Sequence, residues 1–153
     1  AKTATGDAVT LNGANQSATF GTGLQVATIG ANANLGAAMT AMSKITGAAT
    51  GDKIDLSAAL TNAATATTIT DVTTSVGAAA SLSAALNIAE GLGSENANGD
   101  LVFFRWVDGN TYIVADKVGG DGMAALTAST DSVVQLVGTY NSMSAAAGVV
   151  TLA

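Results

Sequence analysis

Residues 101–115 read Leu101-Val102-Phe103-Phe104-Arg105-Trp106-Val107-Asp108-Gly109-Asn110-Thr111-Tyr112-Ile113-Val114-Ala115, and this stretch decides the fold class. Two runs of aromatic and β-branched residues flank Asp-Gly-Asn. Gly and Asn tolerate the positive φ that tight hairpin turns demand, so the spacing predicts two antiparallel strands. Alternation along a strand puts Phe104 and Trp106 on one face and Phe103 on the other. Bulk of that kind is expected to form the core of a sheet, and its alternative use is packing against a neighbouring subunit.

Working outward, Ser132–Val137 and Gly148–Leu152 predict two further strands, so the last third reads as a small antiparallel sheet with one helix packed on it. The helix is expected over 81–92: Ser81 is suited to cap it, Leu82, Leu86 (or Ala85), Ala89 and Leu92 form an apolar stripe, and Gly91 and Gly93 end it. Lys53-Ile54-Asp55-Leu56 alternates, which turns Ile54 and Leu56 to a core and Asp55 to the opposite side. Ala8–Leu11 and Leu24–Ile29 predict short strands separated by Asn-Gly and Gly-Thr-Gly punctuation. Leu35, Met39, Met42 and Ile45 fall at helical spacing before Gly47, which predicts a short helix over 35–46. Residues 61–74 show weak periodicity and read as a loop with one strand.

Composition narrows the function. The 153 residues contain no Cys, His or Pro, 18 Gly, and only 4% aromatics against 48% apolar residues, Ala the most numerous of them. Small side chains imply closely approaching backbones of the stacked-sheet or solenoid kind. Without Cys and His the chain has no thiolate site, disulfide, zinc centre or Ser-His-Asp triad, and no nucleophile–base pair or cofactor loop is visible, so no enzyme is expected. A net charge of −6 with five scattered cations (Lys2, Lys44, Lys53, Arg105, Lys117) argues against nucleic acid and anionic membranes. Polar or Gly residues interrupt every stretch of transmembrane length, so no membrane insertion is expected. Ala1–Asp7 does not read as a signal peptide, which places any export address elsewhere in a longer chain or at the carboxy end.

Three segments taken together carry a resemblance: Gly51-Asp52-Lys53-Ile54-Asp55-Leu56-Ser57, the hairpin from Asp108 to Asp116, and Thr130-Asp131-Ser132-Val133-Val134-Gln135-Leu136-Val137-Gly138. In that order they resemble the carboxy-terminal regions of RTX-type secreted bacterial proteins, surface-layer (S-layer) proteins above all, over roughly 47–153. The resemblance implies a mainly β (α+β) fold: short β-roll or solenoid-like strands, then a small antiparallel sheet with one or two short helices. Residues 1–57 would be a degenerate β-roll-like segment and 58–153 the carboxy-terminal module, as two units or one continuous domain. It further implies a calcium-stabilised self-assembly module on the cell surface, a homo-oligomer or lattice, exported by type I secretion machinery that reads the carboxy-terminal region. An adhesin or biofilm-matrix module, or the noncatalytic tail of a secreted hydrolase, is the alternative. The family's Gly-Gly-x-Gly-x-Asp repeats do not occur as a run; Gly119-Gly120-Asp121-Gly122 is the nearest fragment.

The candidate calcium ligands are all aspartates. Asp116, Asp121 and Asp131 bracket a glycine-rich loop able to bring carboxylate and carbonyl oxygens around a hard cation. The alternative is a solvated acidic loop with Asx-turns. Asp52 and Asp55 are the second candidate pair, at the point where the resemblance places the close of a roll. Their plainer reading is a turn residue and an outward carboxylate that opposes aggregation. Glu90 and Glu95 read as solvated surface.

Overall fold

The computed structural model describes residues 7–31, 42–92, 101–117 and 131–153. Within them lie eleven strands and two α-helices: β1 (Ala8–Leu11), β2 (Ser17–Thr19), β3 (Val26–Ile29), β4 (Ser43–Thr46), β5 (Lys53–Asp55), β6 (Thr70–Asp71), α1 (Thr73–Val76), α2 (Leu82–Glu90), β7 (Leu101–Arg105), β8 (Thr111–Ala115), β9 (Ser132–Leu136), β10 (Met143–Ala146) and β11 (Val149–Leu152). The protein is mainly β, as the hairpin leads one to expect.

The strands form two sheets, ordered β1-β3-β5-β11-β10 and β2-β4-β9-β8-β7-β6. From β1 to β5 the chain alternates between them, and within each sheet these strands pair in parallel: Ala8 with Val26 and Val26 with Lys53 in the first, Ser17 with Lys44 in the second. Both sheets draw strands from either side of residue 57, through β5 with β11 and β4 with β9. The hairpin is antiparallel, with Phe104 opposite Tyr112, and Gly109 takes φ +82 in its turn.

Side-chain alternation builds three layers. Leu11, Ala27, Ile29, Ile54, Val150 and Leu152 of the first sheet meet Ile45, Phe103, Ile113, Val134 and Leu136 of the second. On its other face the second sheet buries Val102, Phe104, Tyr112, Val114 and Val133 against Val76 of α1 and Ala85, Leu86 and Ala89 of α2. Each fully buried Leu, Ile or Phe contributes about 1.5–3 kcal/mol, so these two layers dominate the stability. Phe104 stacks on Tyr112 at 5.4 Å and meets Trp106 edge-on, which puts Phe104 and Trp106 on the expected common face. Ser81 caps α2, accepting from the Ala84 amide, and Gly91 closes it.

Two expectations are corrected. Ser43–Thr46, read as the end of a helix, is a strand: Ile45 points into the inter-sheet core and Met42 to the helix side, an alternation that the three-residue spacing of Met39, Met42 and Ile45 disguised. Residues 35–41 of that helix lie outside the described residues. The strand near the end, β11, does not join the hairpin's sheet; it pairs with β5 and β10 in the other one. The expected loop and strand over 61–74 hold a 3-10 turn at Ala63–Thr65, the two-residue β6 and the start of α1. Strands β2 and β10 were not anticipated.

Candidate functional site

The five candidate aspartates fall into three settings. Asp52 lies in the turn entering β5, 1% exposed, and both of its carboxylate oxygens accept from backbone amides: Oδ1 from Gln25 N–H and Oδ2 from Ala49 N–H, each at 2.8 Å. Its position recurs along the sheet, because Asp7, Gln25 and Asp52 each directly precede a strand of the parallel trio β1, β3 and β5. The turn before β5 is thus hydrogen-bonded to the residue before β3 through the Asp52 side chain as well as through the ladder. Gln25, itself 3% exposed, sits in the middle of that column and was not singled out from the sequence. The shared dipeptide in Gly6-Asp7-Ala8-Val9 and Gly51-Asp52-Lys53-Ile54 is the signal that points to the column.

Asp55 points away from the core, as alternation requires. Its Oδ1 accepts from the amide and the hydroxyl of Ser57, at 3.0 and 2.6 Å, which closes the turn after β5. Asp52 and Asp55 therefore lie on opposite faces of one strand and do not converge.

Asp116 and Asp131 flank the end of the β8–β9 ladder. The β8–β9 ladder ends on Ala115 opposite Ser132, which makes these aspartates the next opposed pair. Asp131 is 3% exposed and its Oδ1 accepts from Lys117 N–H at 3.3 Å. Asp121 lies outside the described residues. Among the described residues no three acidic side chains converge on one point.

Two further polar clusters fix the hairpin. Tyr112 donates its hydroxyl proton to Asp108 Oδ2 at 2.6 Å and accepts from Gln135 Nε2 at 3.1 Å. Burial, reinforced by the Asp108 carboxylate, pushes the Tyr112 phenol well above its usual range. Burial works against ionising Asp108, but the bonds from Tyr112 and Asn110 outweigh it and hold the carboxyl below its ordinary value. Arg105 pairs with Asp71 at 2.7 Å and donates to Asn141 Oδ1 at 2.9 Å, tying the hairpin to β6 and to the segment entering β10.

The outward side of the first sheet is left uncovered by the described helices. Register sets two rows across it: Ala8, Val26, Lys53, Thr151, Ser144, and Thr10, Thr28, Asp55, Val149, Ala146. None of these belongs to either core cluster. A cleft of about 310 Å³ opens at the β1–β2 end, lined by Val9, Ala18 and Phe20 together with Asp7 and Gln25. No described helix is long and apolar enough to cross a membrane. Comparison with protein-family models and with characterised proteins finds no match.

Proposed function

We propose that this chain is a structural, calcium-stabilised assembly module of a secreted bacterial cell-surface protein of the S-layer type, delivered by type I secretion and without catalytic activity. The observation that carries the reading is the course of β1 to β5. Successive strands alternate between two sheets and pair in parallel within each, the arrangement a degenerate β-roll would have. The uncovered, nearly uncharged outward face of the first sheet supports assembly, because a flat surface of small residues suits repeated contacts.

The donor chemistry assigns the calcium role unequally. A hard cation needs several converging oxygens. Asp116 and Asp131, opposed at the end of the β8–β9 ladder, supply two carboxylates beside the glycine-rich 118–122 segment that carries Asp121. Asp52 fits the ion poorly, since its oxygens already close the coil, and Asp55 faces the other way. In our reading the ion belongs to Asp116, Asp121 and Asp131, and the Asp52–Asp55 pair is structural. The test is one sample followed by calorimetry and light scattering through chelation and calcium return. Binding with growth of the assembly is expected; neither binding nor a change in size would overturn the proposal.

A further inference from the structure

Among the described residues of the first sheet's outward rows, Lys53 and Asp55 are the only charges, and both stand on β5, its middle strand. Between them Ile54 turns inward, fully buried. The neighbouring outward positions on the other four strands are Ala, Val, Ser and Thr. Lys53 is exposed and has no salt bridge among the described residues, while Asp55 uses only Oδ1 for Ser57 and leaves Oδ2 to a partner. On the second sheet α1 and α2 cover the outward face of β7 to β9 and leave only the β2 and β4 positions Ser17, Thr19 and Lys44 exposed.

We infer that this face binds a second copy of the chain, face to face, about a two-fold axis lying in the interface and crossing β5 at Ile54. The charge pattern selects that axis. An axis running along the strand would set Lys53 on Lys53 and Asp55 on Asp55, and like charges pressed together cost several kcal/mol. The crosswise axis reverses the strand, so Lys53 of each copy meets Asp55 of the other. Register then lays the Ala8 row over the Thr10 row, pairing small side chains that let two sheets approach about 10 Å apart.

Area sets the strength of the contact. Five strands spaced about 4.8 Å apart, each about 13 Å long, make a patch on the order of 300 Å² per copy. A stable pair needs about 800 Å² per partner. The contact is therefore weak in isolation and closes a pair, which a lattice would extend through further contacts elsewhere on the chain. The face carries no aromatic ring and no cluster of cations, which a stacked base or a nucleic-acid backbone would require. This inference rests on the assembly role proposed above, and names the surface through which it acts.

Sedimentation velocity over a wide protein concentration range, with calcium present and absent, tests it. Wild-type protein is expected to self-associate, more weakly as salt rises. Lys53→Glu makes the face uniformly acidic and should weaken association at least tenfold with an unchanged circular dichroism spectrum. Thr151→Arg, which leaves the Asp55–Ser57 bonds intact, should do the same by bulk. Asp55→Lys makes the face basic; alone it should not associate, and mixed with Lys53→Glu it should recover association to within a few-fold of wild type. Association of Lys53→Glu and Thr151→Arg equal to wild type would place assembly on another surface and remove this inference while sparing the assembly role. A wild-type protein that stays monomeric in every condition would remove both.

Discussion

The side chain of Asp52 accepts a hydrogen bond from the backbone amide of Gln25, 27 residues earlier in the chain, at 2.8 Å and out of contact with solvent. A second bond, from the Ala49 amide, completes a buried carboxylate satisfied by backbone donors alone. Asp52→Ala would strand two amides, and a buried donor left unpaired costs about 1–3 kcal/mol. A loss of about 2–4 kcal/mol is expected in urea unfolding, insensitive to chelator. Asp52→Asn should recover only part of it, because its amide nitrogen replaces one acceptor with a donor facing an N–H. A destabilisation that vanished in chelator would mean instead that Asp52 holds an ion.

Gly47 and Gly109 both take positive φ, +77 and +82, yet their surroundings differ. A Cβ at Gly47 would come within 2.8 Å of the Phe20 carbonyl oxygen, in the backbone directly after the neighbouring strand β2, whereas one at Gly109 meets nothing within 4 Å. The left-handed conformation costs an L-residue about 1–2 kcal/mol at either position. The clash adds to this only at Gly47, where a parallel strand has to shift. Gly47→Ala should therefore lower the melting temperature clearly more than Gly109→Ala. Equal losses would show that the backbones after β2 and β4 separate freely at that turn.

How much of this was legible depended on sequence distance. The hairpin and α2 could be read because their determinants are local: Asp-Gly-Asn between bulky runs, and Ser81 ahead of a periodic stripe. The outward turn of Asp55 followed from a period of two. What escaped rests on distant partners or on small residues. β2 is only Ser17-Ala18-Thr19 and forms by pairing with β4, far along the chain; β10, Met143–Ala146, has its partner β11 just across the Ala147-Gly148 turn, but its small residues give no bulk to mark a strand. Alternation tells which face of β11 is buried but not which strand lies beside it, so its place next to β5 could not be foreseen. The same limit hid Gln25, whose partner side chain is 27 residues away.

Tyr112 gives the protein an alkaline limit. Its phenol is held protonated in the fold, above the usual value near 10, by burial and by the Asp108 carboxylate. The folded state thus keeps a proton that the unfolded chain releases, so stability is fully present below about pH 10 and falls as pH rises beyond it. Tyr140 shifts the same way, through burial and the charge of Asp52, and donates to the Ala48 carbonyl at 2.7 Å. Absorbance titration should show both tyrosines ionising late, together with unfolding. Tyr112→Phe should flatten the alkaline loss of stability while lowering stability at neutral pH by about 1–2 kcal/mol, since it leaves Gln135 without its acceptor. An unchanged alkaline slope would place the limit elsewhere.

Asp108 works in the opposite direction on pH. Its carboxyl sits below the ordinary value because the bonds from Tyr112 and Asn110 favour the charged form over the opposing effect of burial. For a depressed carboxyl the stabilisation is present above the unfolded value, near 4, and is lost as pH falls through the folded one. Asp108→Asn should therefore reduce the acid sensitivity of the hairpin, read by Trp106 fluorescence below pH 4, and do little to its stability at pH 7 beyond the loss of one charged acceptor. If wild type and variant lose the hairpin signal along the same acid curve, the Asp108–Tyr112 bond is not what holds the turn.

Calcium should act at the far end of the same hairpin. Asp116 follows β8 and Asp131 precedes β9, and the Thr61 amide donates to the Lys117 carbonyl at 3.2 Å, so this end also touches the segment after β5. With a dissociation constant near 10⁻⁴ M, typical of extracellular sites, about 1–10 mM calcium would stabilise the fold by roughly 1.4–2.7 kcal/mol. That is a large share of the stability of a domain of this size. Asp121→Ala and Asp131→Asn should each remove most of the calcium-dependent rise in melting temperature, and Glu95→Ala should leave it intact. Asp131→Asn keeps an oxygen for the Lys117 amide, so its calcium-free stability should stay close to wild type, which separates loss of the ion from loss of the hydrogen bond. If all three variants respond to calcium as wild type does, the ion is not bound by these aspartates.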